Sequence, residues 1–149
     1  MFTANEQSLS AKIDEQIALI QVENFDVIAL NETWLDTKNK HLLAEVAKHG
    51  YMVFHLDKPT PTGREGGSIM NVKNTLNPIE RKSSATCTMD IIQVAINPKN
   101  EVHLKLVLIY INTWITAADD DEFYTMLQEI LLLQHECVIM GNFNLPNIQ

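Results

Sequence analysis

Two short runs, Val27-Ile28-Ala29-Leu30 and Cys137-Val138-Ile139-Met140, are apolar at every position and stop abruptly against polar residues. A short uninterrupted apolar run is what a strand buried on both faces requires. Such a strand needs a layer above and a layer below, so the rest of the chain must supply helices or a second sheet. Helical periodicity supplies part of this. Ile13, Ile17 and Ile20, with Leu9 ahead of them and Ser8 or Ser10 as N-cap, predict a helix over 10–23. A second forms from Phe123, Leu127, Ile130 and Leu131, behind Asp119, Asp120, Asp121 and Glu122, whose negative charge suits a helix N-terminus. A weaker helical pattern covers 40–48. Further strands are predicted at 51–54, 68–72, 90–96 and 102–111. The first two of these can pair as a hairpin across a loop with Pro59, Pro61, Gly63, Gly66 and Gly67, and Asn97-Pro98-Lys99-Asn100 suits a tight turn between the last two. Helices alternating with buried strands give an α/β layer structure in one domain, without internal repeats.

A chain of 149 residues supports one core, and its 46% hydrophobic and 20% charged content excludes a disordered polymer. The longest apolar run, 106–111, is far below the ~20 residues of a membrane helix. The N-terminus has neither a basic start nor an apolar stretch, so an intracellular location, nuclear or cytoplasmic, is expected. Cys87 and Cys137 stand fifty positions apart without a CxxC, which predicts two reduced thiols. The net charge of −8 repels polyanions and counts against tight nucleic-acid binding, leaving Arg64, Lys73, Arg81 and Lys82 as the candidate basic surface. The five histidines show no ligand spacing, and Trp34 and Trp114 read as packing or rim residues. Gly63, Gly66 and Gly67 fit neither a P-loop nor a dinucleotide fingerprint.

In layered α/β folds, functional side chains collect beyond the carboxyl ends of strands. Glu32 follows the first apolar run; Asn142 and Asn144 follow the last. If both strands point the same way, one carboxylate and two amides open onto one edge of the sheet.

Five runs carry a resemblance: Asn5-Glu6-Gln7-Ser8-Leu9, Asn31-Glu32-Thr33-Trp34-Leu35, Gly50-Tyr51-Met52-Val53-Phe54, Gly63-Arg64-Glu65-Gly66-Gly67 and Gly141-Asn142-Phe143-Asn144-Leu145-Pro146. In order and spacing the chain resembles the endonuclease/exonuclease/phosphatase family, and within it the endonuclease domain of LINE-type, non-LTR retrotransposons of the jockey and chicken-repeat kind. The resemblance implies a two-sheet α/β sandwich with flanking helices, hydrolysing a DNA phosphodiester with Mg²⁺. It makes Glu32 the metal-binding glutamate, Asn5 the asparagine near the metal, Tyr110 the tyrosine closing the site and Asn144 the contact to the scissile phosphate. Asn142 stands where the family has aspartate.

The departures from the family pattern are specific. An amide at 142 is neither an anion nor a base at neutral pH, and base catalysis is typically worth ~10²–10⁴-fold. The family's later Ser-Asp-His motif is not in the 149 residues. Ile111-Asn112-Thr113 stands where the family often has Arg-Pro-Pro after its tyrosine. Only residues 1–4 correspond to a full apolar strand upstream of Asn5. The sequence therefore reads as a partial sandwich, incomplete at both ends, with sheet edges and an inner sheet face left without partners. The expected function is a degenerate retrotransposon-derived domain with little or no Mg²⁺-dependent hydrolysis and weak DNA binding. The alternatives are an active DNA endonuclease within a longer chain, and a non-catalytic interaction module that forms a homo-oligomer through its exposed sheet surface.

Overall fold

The computed structural model describes residues 1–6, 9, 12–35, 41–57, 66–86, 88–97, 104–113, 117–132 and 136–144. The anticipated N-caps Ser8 and Ser10, the loop around Pro59 to Arg64, the turn at 98–100, Cys87, Trp114, His103 and His135 lie outside the described residues. Among these residues eight strands and three α-helices follow in the order β1 (Phe2–Asn5), α1 (Ile13–Glu23), β2 (Val27–Asn31), α2 (His41–Lys48), β3 (Tyr51–Leu56), β4 (Ser68–Lys73), β5 (Ile79–Ala85), β6 (Met89–Ile96), β7 (Leu104–Ile111), α3 (Ala117–Leu132) and β8 (Cys137–Asn142). They form two four-stranded sheets, ordered β1-β2-β4-β3 and β5-β6-β7-β8. Within each sheet one pair is parallel, β1 with β2 and β7 with β8; the remaining pairs are antiparallel, including the anticipated β3–β4 hairpin.

Side-chain alternation explains why the sheets stack. One face of the first sheet presents Val27, Ala29, Phe54, Met70 and Val72, and one face of the second presents Ile92, Val94, Leu106, Leu108 and Met140; together they make the inter-sheet core. On the outer face of the first sheet, Ile28, Leu30, Tyr51 and Ile69 pack under α1 and α2 through Ile20 and Val46. On the outer face of the second, Ile91, Val107 and Ile109 pack under α3 through Phe123, Met126 and Ile130. The result is four layers, helix, sheet, sheet and helix. The inner faces cover each other, so the expectation of an uncovered inner face is not met. Among the described residues the edge strands are β1, β3, β5 and β8, with Ile139 of β8 40% exposed.

Helix α1 ends where Asn24 takes a left-handed turn (φ 51°) and returns its N–H to the Ile20 carbonyl, a role asparagine tolerates. Strand β5 was not anticipated. Its residues are mostly exposed, Glu80, Arg81 and Lys82 among them, and a register irregularity falls between Glu80 and Lys82, so it is tied to β6 by backbone pairing with charged side chains guarding the edge. Cys137 is a free, part-buried thiol whose pKa burial pushes up against the opposing effect of Lys105. Among the described residues, no helix is long and apolar enough to cross a membrane.

Candidate active site

The inter-sheet core turns polar at one end. Alternation that points Val27 and Ala29 inward also points Asn31 inward; the same parity brings Ser68 in from β4, Asp90 from β6, Tyr110 from β7 and Asn142 from β8. Asn5 pairs with Asn31, which pairs with Ser68, so these three make one row across the first sheet. Asp90 pairs with Tyr110, which pairs with Asn142, so these make the facing row across the second. Six strands thus each contribute one polar side chain to the same end of the sandwich. Hydrogen bonds join the rows: Ser68 Oγ reaches Asp90 Oδ2 (3.3 Å) and Asn31 Oδ1 (3.0 Å), and Asn31 Nδ2 donates to the Ile109 carbonyl (3.5 Å). The carboxyl ends of β1, β2, β7 and β8 therefore meet, but β2 and β8 belong to different sheets, so Glu32 shares one end of the sandwich with Asn142 and Asn144 and not, as anticipated, one edge of a single sheet.

All five anticipated site residues lie at this end. Asn5 Nδ2 donates to Glu32 Oε1 at 2.8 Å, so the two residues assigned to the metal are in direct contact. Tyr110 is 5% exposed, beside Asn142 in register. Asn142 Oδ1 accepts from the Asn144 backbone N–H (3.2 Å), and Asn144 Nδ2 donates to the Ile111 carbonyl (2.8 Å). The carboxamide of Asn144 is thereby held against β7. Two of the five occupy left-handed backbone, Glu32 (φ 56°) and Asn144 (φ 39°), with Trp34 (φ 50°) close by. Non-glycine residues persist there only when surrounding structure imposes it, and such residues cluster at functional sites. Gly141 allows the approach of β8 to β7: a Cβ there would stand 1.7 Å from the Ile109 carbonyl oxygen.

The donor set is poor in charge. Glu32 supplies the one carboxylate among the five residues, and Asp90 is 0% exposed behind the hydrogen bonds of Ser68 and Gly67. Among the described residues, no three His, Cys, Asp or Glu side chains group as metal ligands. Magnesium is usually held by one or two carboxylates with waters and substrate phosphates. Glu32, bonded to the Asn5 carboxamide, is the one carboxylate of the five residues that could hold such an ion. Of the anticipated basic surface, Lys73 lies at the opposite end of the first sheet, paired with Asp26 (3.1 Å), while Arg81 and Lys82 sit on edge strand β5; Arg64 lies outside the described residues.

No family model and no curated protein matches the sequence. Solved structures do match. A 3′ phosphatase from Neisseria, an aspartate-to-asparagine variant bound to a product DNA hairpin, aligns with a TM-score of 0.67 at 16% identity, over 95% of this chain and 56% of that one. An AP endonuclease from Archaeoglobus fulgidus aligns with a TM-score of 0.64 at 12% identity, over 94% and 55%. The endonuclease domain of a telomere-specific non-LTR retrotransposon aligns with a TM-score of 0.62 at 16% identity, over 95% and 58%. The chain has the endonuclease/exonuclease/phosphatase fold. It spans about half the length of the solved structures it matches.

Within this endonuclease/exonuclease/phosphatase fold, sequence reasoning assigned no role to Asn31, Ser68 or Asp90. The signal was present in each case, a polar residue at or next to a strand terminus, on the parity of the inward apolar side chains. It becomes readable only once the direction of that face is known.

Proposed function

We propose that the chain is a retrotransposon-type endonuclease-like domain that retains the phosphate-facing end of the fold and has lost efficient phosphodiester hydrolysis. The observation that carries this reading is Asn142. It is set beside Tyr110 by strand register, and its Oδ1 accepts the Asn144 N–H. A carboxylate in that place could take a proton from water; a carboxamide cannot, and the missing base is worth ~10²–10⁴-fold in rate. Weak DNA binding remains part of the proposal, supported by the Neisseria phosphatase, in which an aspartate-to-asparagine form is bound to product DNA. The net charge of −8 sets that binding low. Supercoiled plasmid incubated with Mg²⁺ or Mn²⁺ tests the reading: nicking stays at background, and robust metal-dependent turnover would refute it.

The half-length match favours one second reading, an active Mg²⁺-dependent endonuclease when further polypeptide completes the site. A longer polypeptide that keeps Asn142 separates the two: under the second reading it nicks plasmid with Mg²⁺, and under the first it stays at background.

A further inference from the structure

We infer that Asp90 is a positioning residue for Glu32, acting from the opposite sheet through Gly67 and Ser68. Assigning Glu32 a functional role rests on the proposed function; the geometry stands apart from it. The Asp90 side chain is 0% exposed, at the polar end of the inter-sheet core and one inward position from Ile92. A carboxylate is tolerated in such a place only when hydrogen-bond donors are fixed on it, so its presence dictates where those donors lie. Two approach from the segment leading into β4: the Gly67 N–H, which donates to Oδ2 (3.2 Å), and the Ser68 hydroxyl, whose one hydrogen is shared between Asp90 Oδ2 (3.3 Å) and Asn31 Oδ1 (3.0 Å).

The same short segment holds the bend beyond β2. The Gly67 carbonyl accepts the Thr33 N–H (3.2 Å), the Gly66 carbonyl accepts the Trp34 N–H (3.1 Å), and Ser68 Oγ also reaches Asn31 Oδ1 (3.0 Å). Residues on both sides of Glu32 are therefore tied to a segment that Asp90 anchors. Between those ties Glu32 is left-handed, and so is Trp34. Neither is glycine, so neither adopts this conformation without restraint. The bend aims the Glu32 carboxylate at Asn5. Gly67 must approach closely for this to work: at φ 84° a Cβ would lie 2.9 Å from Thr33 Oγ1. A pure packing residue at 90 could fill the same volume, but it would leave the Gly67 N–H and Ser68 hydroxyl without that acceptor.

The test is NMR on the isotope-labelled chain, without metal or DNA, so the nuclease reading can fail without touching the outcome. Backbone carbon shifts and three-bond couplings report the left-handed state of Glu32 and Trp34; amide exchange reports the Thr33 and Trp34 hydrogen bonds. Asp90→Leu is expected to erase the left-handed signature at both residues. It should also speed exchange of the Thr33 and Trp34 amides by roughly tenfold or more relative to β7, the fold-change of one lost charge-assisted bond. Asp90→Asn, which keeps an acceptor oxygen, stays within about threefold of the wild type on the same scale. Ser68→Ala, a milder change that keeps the chain folded if Asp90→Leu does not, speeds the same two amides severalfold. Unchanged signature and exchange at 32–34 in Asp90→Leu or in Ser68→Ala overturn the inference. So does a rise of equal size at every β7 amide, which would mean general loosening.

Discussion

Replacing Gly141 by alanine strikes the geometry that sets Asn142 in place. An alanine Cβ at this position would stand 1.7 Å from the Ile109 carbonyl oxygen, and 2.7 and 2.9 Å from its carbonyl carbon and its nitrogen, where ordinary contact begins at 3.4 Å. All three obstacles are backbone, so β8 must move away from β7 by well over an ångström. The register pairs Ile109 with Gly141 and Tyr110 with Asn142 lie at the point of separation. Losing two ladder hydrogen bonds costs about 2 kcal/mol net. An L residue at φ 141° adds about 1–3 kcal/mol of backbone strain. The sum, about 3–5 kcal/mol, is a large part of the ~5–15 kcal/mol that holds a domain folded, and lowers Tm by roughly 10 °C. Urea unfolding of Gly141→Ala against the wild type measures it. A loss below about 1 kcal/mol would show that β8 does not approach β7 as described, and the placement of Asn142 would fall with it.

Other consequences are equally open to measurement. Ile92→Ala removes a fully buried side chain from the inter-sheet core and should cost about 2–5 kcal/mol in chemical denaturation; near-neutral stability would mean the sheets do not pack face to face. Tyr51→Phe deletes the hydroxyl that donates to the Phe25 carbonyl, at a cost of about 1 kcal/mol in the same experiment. Burial is the main effect raising the Tyr51 pKa, with Lys73 opposing it and Asp26 adding to it. The unfolded chain therefore releases this proton first, and stability attributable to Tyr51 is intact below pH 10.0 and falls as pH rises above it. The Tyr51→Phe difference should shrink at high pH, and a difference that grows there would contradict the assignment.

Elements with strong periodicity were readable from sequence because burial writes its pattern into side chains. β2 is apolar at four successive positions and buried at all five, and α3 shows its inward face through Phe123 and Ile130. β5 left no such record: its ladder with β6 is made by backbone, and its side chains face water. β8 falls between these cases. Its apolar run predicted burial on both faces, yet Ile139 is 40% exposed because β8 is an edge strand. In the site, Glu32, Asn142 and Asn144 were legible as polar residues after apolar strands, Asn5 and Tyr110 came from the family resemblance, and the fold brings all five to one end. Asp90 was read as the first residue of a strand. Its role depends on Ser68 and Gly67, more than twenty positions away, and no local pattern encodes that contact. Lys73 was grouped with other cations by proximity in sequence; its partners prove to be Asp26 and the Asn24 carbonyl, far from the polar rows.

A carboxamide at 142 cannot take the proton that a carboxylate in the same place would accept. Side-by-side cleavage of a labelled DNA duplex by the wild-type chain and by Glu32→Ala, with Mn²⁺ or Mg²⁺ in excess, addresses this most directly. Indistinguishable rates at the level of the protein-free control are expected. Metal-dependent cleavage by the wild type that Glu32→Ala abolishes would contradict that expectation.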